Sequence, residues 1–253
     1  MKITFLGTGT SQGVPVIACR CRVCSSDDTK DHRLRSSVMV EEDNRMILID
    51  TAPDFRQQML REGVSRLDAI LFTHDHRDHI AGLDDVRAYN FLQKKPMDVY
   101  AEESVVRSLM HEFPYIFAER KYPGVPQVSV NIITNSPFDI DGIRVMPVRA
   151  MHYRLPVLGF RIGDFAYITD ANHIPQEEMD KLSGLKLFIL CALRKKEHIS
   201  HFNLTQALEV ISRISPESAY LTHIGHQMGI HREVEKELPA SVHLAWDGLS
   251  ITI

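Results

Sequence analysis

Thr73-His74-Asp75-His76-Arg77-Asp78-His79 follows the apolar run Ala69–Phe72 and precedes a stretch, Gly82–Leu92, that reads as a helix. Five side chains able to ligate a metal fall within six positions. On an extended strand end, residues i and i+2 point the same way, so His74 and His76 can bind one cation through their imidazoles. Asp78 and His79 come at the start of the helical stretch and can face a second cation. The bland alternative is a polar surface loop, but histidines at this density give no packing advantage. Their spacing follows metal-ligand logic.

Working outward, residues 2–6 read as a strand running into a Gly/Thr/Ser turn, and Ser37–Glu42 with Arg45–Asp50 as a hairpin. Asp54–Arg61 reads as a helix. Beyond the histidine loop come a strand at Val99-Tyr100, a helix over Ser104–Phe113, a strand over Val128–Ile133, and hairpins turning at Asp141-Gly142 and Gly163-Asp164. Leu185–Ala192 is a buried strand, Leu204–Ile214 an amphipathic helix and Ala219–Leu221 a strand. Val242–Ile253 reads as a last hairpin turning at Asp247-Gly248. Hairpins in each half with helices interspersed suggest an αββα sandwich, two mixed sheets face to face with helices outside. No linker stands out, so residues 1–253 are expected to form one domain. Periodicity alone does not separate this from other α/β layerings.

The 253 residues are 44% hydrophobic and 25% charged, which fits an ordinary globular chain. Twenty-nine basic residues against thirty-three acidic ones give a net charge of −4, which argues against an extensive nucleic-acid surface. Apolar stretches are short and broken, so no membrane span is expected. Met1–Thr8 reaches a glycine turn too soon for a signal-peptide core, and the expected location is cytoplasmic. Cys19, Cys21 and Cys24 crowd into six positions while Cys191 stands alone in an apolar run. That pattern reads as metal binding plus one core thiol.

The histidine loop resembles the signature of the metallo-β-lactamase superfamily, His-x-His-x-Asp-His after a strand. In that family a histidine, an aspartate and another histidine at later strand ends complete the loop. His152, Asp170 and His223 occupy those places in order. Each alone is more often a hydrogen-bonded structural residue; together they carry the resemblance, which spans nearly the whole chain. It implies the αββα fold, one divalent cation on His74, His76 and His152, a second on Asp78, His79 and His223, and Asp170 between them, the metals being zinc or manganese. Asp50 looks like the family's carboxylate that orients a ligand imidazole; a helix N-cap ahead of Pro53 is the alternative.

Gly7–Pro15 followed by Cys19-Arg20-Cys21-Arg22-Val23-Cys24 resembles the PhnP branch, cyclic phosphodiesterases of phosphonate breakdown. Three thiolates are one ligand short of a tetrahedral zinc site. In that branch the second histidine of the last loop is the fourth ligand, which here is His226, giving one structural zinc. Ala18 departs from the glycine that relatives often carry and is expected to affect turn geometry. The branch also has a substrate-contacting histidine that protonates the leaving group. His201-Phe202-Asn203-Leu204 matches it, with His198 as the competing candidate, so Asp78 and His201 are the candidate catalytic groups. Arg194, Lys195 and Lys196 could bind a terminal phosphate or be a solvated face, and His173 could reshape the pocket rim.

Gly9-Thr10-Ser11-Gln12-Gly13 fits the nucleophile elbow of serine hydrolases, but the elbow must turn into a helix and Val14–Ile17 is extended. The resemblance therefore implies a dinuclear metal-dependent phosphodiesterase opening a small cyclic phosphate, by likeness 5-phosphoribosyl 1,2-cyclic phosphate to ribose 1,5-bisphosphate. Its expected partner is a small phosphorylated sugar or nucleotide-like substrate, and a homodimer is left open. The alternatives are an RNA-processing phosphodiesterase of the tRNA 3′-endonuclease type and a non-catalytic metal- or nucleotide-binding protein on the same fold.

Overall fold

Strands that are apolar at every position must be covered on both faces. Leu187–Cys191 is such a strand: Leu187 and Ile189 join a core of 20 residues between two sheets, while Phe188 and Leu190 join a second core of 24 under outer helices. In the other half, Ile47 and Ile49 face the shared inter-sheet core and Leu48 a third, outer core of 20. Three apolar layers require two sheets sandwiched between helices, and a computed structural model of residues 1–253 has that architecture.

The first half runs β1 (Lys2–Gly7), β2 (Ser37–Glu42), β3 (Arg45–Ile49), α1 (Phe55–Glu62), β4 (Ala69–Leu71), α2 (Arg77–Ile80), α3 (Arg87–Gln93), β5 (Met97–Ala101), α4 (Glu103–Glu112), α5 (Pro114–Phe117) and β6 (Val128–Ile132). The second runs β7 (Phe138–Ile140), β8 (Ile143–His152), β9 (Leu155–Ile162), β10 (Phe165–Ile168), α6 (Gln176–Met179), β11 (Leu187–Cys191), α7 (Leu204–Ile214), β12 (Ser218–Thr222), α8 (His231–Val234), β13 (Val242–Leu244) and β14 (Ser250–Thr252). One sheet has the order β14-β1-β2-β3-β4-β5-β6 and the other β13-β12-β11-β10-β9-β8-β7. Within each, four neighbouring strands are parallel, β3 to β6 and β10 to β13. Their carboxyl ends open on one edge of the sandwich, where Asp50, the histidine loop, Asp170 and His223 follow β3, β4, β10 and β12. No helix is long and apolar enough to cross a membrane.

Two expectations need correction. The helix expected over Gly82–Leu92 is broken into a 3-10 turn, Leu83–Val86, followed by α3, with α2 already begun inside the histidine motif. Gly82 explains the break: its N–H bonds the Thr51 carbonyl, and a Cβ there would lie 2.3 Å from Ala52 O. The chain after β3 thus passes directly against the end of α2.

The last two strands are not a hairpin. β13 pairs with β12 in one sheet and β14 with β1 in the other, so Ala245–Leu249 crosses between sheets. Asp-Gly normally signals a hairpin turn, but here the Asp247 carboxylate leaves its own turn. It accepts from Thr8 N at 2.9 Å, Thr8 Oγ1 at 2.8 Å and Leu34 N at 2.7 Å. Asp247 therefore holds β1 and the segment before β2 to the crossing. Asp247→Ala should strand those donors and cost about 2–4 kcal/mol in urea unfolding, whereas a loss under about 0.5 kcal/mol, the scale of an ordinary surface change, would contradict this tie.

Candidate metal centre

The chain leaves β4 with Thr73 and His74 buried, and a fully buried carboxylate from the end of β3 receives it. Asp50 Oδ1 accepts from Thr73 N at 2.8 Å, and Oδ2 accepts from Thr73 Oγ1 and His79 Nδ1, each at 2.8 Å. This geometry sets two tautomers. Thr73 spends its one hydroxyl proton on Asp50, so its 2.9 Å contact to His74 Nδ1 must be donated by the imidazole. His74 and His79 both carry a proton on Nδ1 and turn Nε2 inward. His152 does the same, donating from Nδ1 to Ser200 O at 2.7 Å. Asp50 is no N-cap: α1 starts at Phe55 behind Asp54.

The inward atoms converge. Ligand atoms of Asp78, His79, Asp170 and His223 lie within 4.8 Å of one another, as do those of His152, Asp170 and His201. Asp170 belongs to both groups. The His74 ring lies 4.6 Å from that of His76 and 5.9 Å from that of His152, and His76 lies 5.0 Å from His152. His223 Nδ1 is 2.9 Å from Asp170 Oδ2. Buried His74 Nε2 and His79 Nε2 have no hydrogen-bond partner, although His79 Nε2 lies 3.2 Å from Asp78 and 3.1 Å from Asp170. Two buried ring nitrogens without a partner, that of His79 facing two carboxylates, fit divalent cations, and the imidazole and carboxylate donor set suits zinc or similar metals.

Three residues of this edge take left-handed backbone: Asp50 at φ +65°, Asp170 at +50° and His223 at +55°. For non-glycine residues such conformations cost about 1–3 kcal/mol each and cluster at functional sites. Each sits just past a strand end and turns its side chain back over the sheet edge.

Burial shapes the charges. It disfavours the His79 cation, but Asp170, Asp78 and Asp50 outweigh it and hold the pKa well above the ordinary histidine value. Burial also opposes the Asp170 carboxylate, and His223 and His79 overcome that, keeping it well below its usual range. Burial pushes His74 and His152 down, and His201 to about 3. A proton on His79 Nε2 occupies the place a cation would take, so metal and proton compete.

His201 Nδ1 is buried without a partner, 3.7 Å from Asp170 Oδ1, and the ring lies 4.5 Å from His152 and 4.9 Å from His223. His198 lies one ring further out, 5.1 Å from His201. His173 faces elsewhere: its carbonyl accepts from Met151 N, and its side chain lines a separate cleft with Gln206 and Arg213. Arg194 donates to Gln227 Oε1 and to the carbonyls of Lys196 and Glu197, and Lys195 pairs with Glu237 at 2.6 Å. These two cations brace the loop that bears His198 and His201. Neither type nor spacing marks Thr73, whose hydroxyl joins the Asp50 carboxylate to the His74 ring, or Asn172, whose amide joins Tyr153 N to Ile199 O.

A second cluster lies on the cysteine loop. The sulfurs of Cys19, Cys21 and Cys24 stand 3.3, 3.4 and 3.4 Å from His226 Nδ1. A tetrahedral Cys₃His zinc site has ligand separations of ~3.6 Å, so the four fit such an ion. The Cys24 amide bonds the Cys21 thiol and lowers its pKa to about 6, while burial raises Cys24 to about 11. Ala18 takes φ +63°, a conformation glycine adopts without strain. Cys191 is apart, buried behind Asp170 with its thiol raised to about 12 by burial.

A family model described as a beta-lactamase superfamily domain matches residues 45–224. A crystal structure described as a new diphosphatase from the PhnP family superposes with a TM-score of 0.93 at 42% identity, covering 100% of this chain and 97% of that one. The chain belongs to the metallo-β-lactamase superfamily, in its PhnP-like branch. A Porphyromonas gingivalis protein named octanoyltransferase is 41% identical over 256 residues, 100% of this chain and 52% of that protein. This chain thus spans about half the length of that curated relative. Zinc-bound PqqB from Methylobacterium extorquens shares the fold, with a TM-score of 0.81 at 19% identity over 100% of both chains. Superfamily membership and the converging donors together support a metal-dependent hydrolase.

Asp50→Ala should weaken metal binding by about 10–100-fold, the usual effect of losing a partner that orients a ligand histidine, as read by competition with a chromogenic chelator. Unchanged affinity would remove Asp50 from the centre. Affinity should also fall as pH is lowered, because His79 then keeps the proton that the metal must displace. Calorimetry in buffers of different ionisation enthalpy should show protons released on binding; no buffer dependence would contradict this competition.

Proposed function

We propose that this chain is a dinuclear metal-dependent phosphohydrolase that cleaves a phosphodiester-type bond in a small phosphorylated substrate. The observation that carries this reading is Asp170, whose carboxylate lies within ligating reach both of Asp78, His79 and His223 and of His152 and His201. His74, His76 and His152 are assigned to one cation, Asp78, His79 and His223 to the second, and Asp170 to both. When bound, such cations polarise a phosphate and lower the pKa of the attacking water. The chain's own residues do the rest. Asp50 and Thr73 fix the tautomers of His79 and His74, and the carbonyl of Ser200 fixes that of His152. His201, with its Nδ1 3.7 Å from Asp170 Oδ1 and left out of both cation sets, is assigned to hold the proton for the departing oxygen. Burial keeps its imidazole neutral, and an anionic phosphate against it supplies the charge that favours the protonated form.

A cyclic phosphodiester is the first substrate class, by the PhnP likeness. A diphosphate is the second, favoured by the 42% identical relative described as a diphosphatase. A cyclic phosphodiester and the esterified phosphorus of a diphosphate each carry two bridging oxygens, so one site can serve both. The octanoyltransferase name belongs to a protein about twice this length. In this chain the cysteines are clustered around His226 or, for Cys191, sealed in the core, which leaves the pocket without a thiol for acyl transfer.

The test is a panel of bis(p-nitrophenyl) phosphate, 2′,3′-cyclic nucleotides and diphosphate sugars, each with zinc or manganese. Asp170→Ala should abolish turnover while the fold survives, and near wild-type kcat in that variant would refute the dinuclear reading. His201→Ala should lose about 10²–10⁴-fold on an alkoxide leaving group, the range of general acid catalysis, and far less on p-nitrophenolate. Equal losses would strip His201 of the acid role.

A further inference from the structure

The chain between β11 and α7 forms neither helix nor strand, so His201 owes its place to a few point contacts. The base of this loop is closed by Leu193 N donating to Phe202 O at 3.0 Å and Leu204 N donating to Arg194 O at 2.9 Å. Nearer the pocket, the contacts come from the two residues that follow Asp170. Phe202 N donates to Ala171 O at 2.7 Å, and Asn172 Nδ2 donates to Ile199 O at 3.1 Å. His201 is therefore bracketed, one residue after it and two before it, by the segment that carries the Asp170 carboxylate.

Asn172 also reaches the other way. Its Oδ1 accepts from Tyr153 N at 2.7 Å, and its backbone N–H donates to Met151 O at 2.9 Å, so it holds the residues on both sides of His152. A carboxamide presents an acceptor and a donor on opposite sides of one plane, and these two partners settle which side is which. Beside the Ile199 carbonyl, the Ser200 carbonyl accepts from His152 Nδ1 at 2.7 Å. Two consecutive carbonyls of the His201 loop thus meet His152 itself and the amide that clasps the turn after it. If the Ile199 carbonyl loses its donor, the Ser200 carbonyl loses its anchor, and with it His152 loses the partner that fixes its tautomer.

We propose that Asn172 is a positioning residue that sets the His201 ring against the His152 ring, 4.5 Å away, and against Asp170. It acts on the pocket only through these neighbours. The part of the proposal that concerns proton delivery rests on the phosphohydrolase reading; the part that concerns His152 does not.

The experiment compares Asn172→Asp with Asn172→Ala. The aspartate keeps the acceptor for Tyr153 N but turns an oxygen on the Ile199 carbonyl, so it breaks one arm; alanine breaks both. Asn172 is half-buried and belongs to none of the three cores, so both variants should fold, as thermal melts would check. Zinc affinity of the pocket, read by competition with a chromogenic chelator, should fall about tenfold in Asn172→Asp, the low end for losing a partner that orients a ligand histidine. The added negative charge favours cation binding, so it cannot cause that loss. On turnover, Asn172→Asp should lower kcat for an alkoxide leaving group about tenfold more than for p-nitrophenolate, with KM little changed. Combined with His201→Ala it should add less than about twofold to that difference, because both changes act through one ring. Weaker zinc binding in both variants, with no phosphoester turned over even by wild type, supports the positioning role and rejects the phosphohydrolase reading. Unchanged zinc affinity in Asn172→Asp overturns the proposal whatever the turnover. So does an equal fall for both leaving groups, or a lowered melting temperature as the sole effect.

Discussion

The fully buried carboxylate of Asp50 is the contact on which the centre depends. With no water to solvate it, it must be met by hydrogen bonds, and it receives three, from the amide and hydroxyl of Thr73 and from Nδ1 of His79. These bonds clamp the end of β3 to the loop after β4. They also decide which ring nitrogen of His79 and, through Thr73, of His74 faces the pocket. The same carboxylate serves fold and chemistry, because the pocket opens where two parallel strands end side by side. The opposite sheet supplies Asp170 and His223 from equivalent strand ends, so the donor set is complete only when the two sheets pack.

How much of this was readable from sequence depended on the range of the signal. The histidine loop is legible because its donors are local, whereas only the family likeness marks Asp50, with a helix N-cap as its alternative. Cys19, Cys21 and Cys24 pointed to a metal by their crowding, although placing His226 beside them needed the family likeness. Long-range facts were hidden. Asp247-Gly248 carries the chemistry of a hairpin turn, and only the bonds from Asp247 to Thr8 and Leu34 show that the chain crosses between sheets there. The left-handed backbone of Asp50, Asp170 and His223 could not be read either, since Asp and His carry no sequence mark of it as glycine does. Arg194 and Lys195 read from sequence as a solvated face or a phosphate site, and their partners are Gln227, nearby carbonyls and Glu237.

The cysteine cluster reaches the centre by short covalent and hydrogen-bonded paths. His226 is three residues from His223, Ile224 bonds Thr8 and Thr10 by its backbone, and Gly225 N bonds Leu193 O just ahead of Arg194. Arg194 in turn holds Gln227 at 2.8 Å. An ion among the cysteines would fix one end of the loop presenting His223 and brace the base of the loop presenting His201. Closed tetrahedral ligation leaves no position for substrate, so such an ion acts by holding structure.

The proposed chemistry requires two metal ions in one pocket with the Asp170 carboxylate facing both. Anomalous diffraction from crystals grown with zinc, recorded above and below the zinc edge, tests it most directly. The account predicts two peaks flanking the Asp170 carboxylate, one beside His74, His76 and His152 and the other beside Asp78, His79 and His223, with a third among Cys19, Cys21, Cys24 and His226. A pocket with one peak or none at saturating zinc, while the cysteine site is filled, would contradict it.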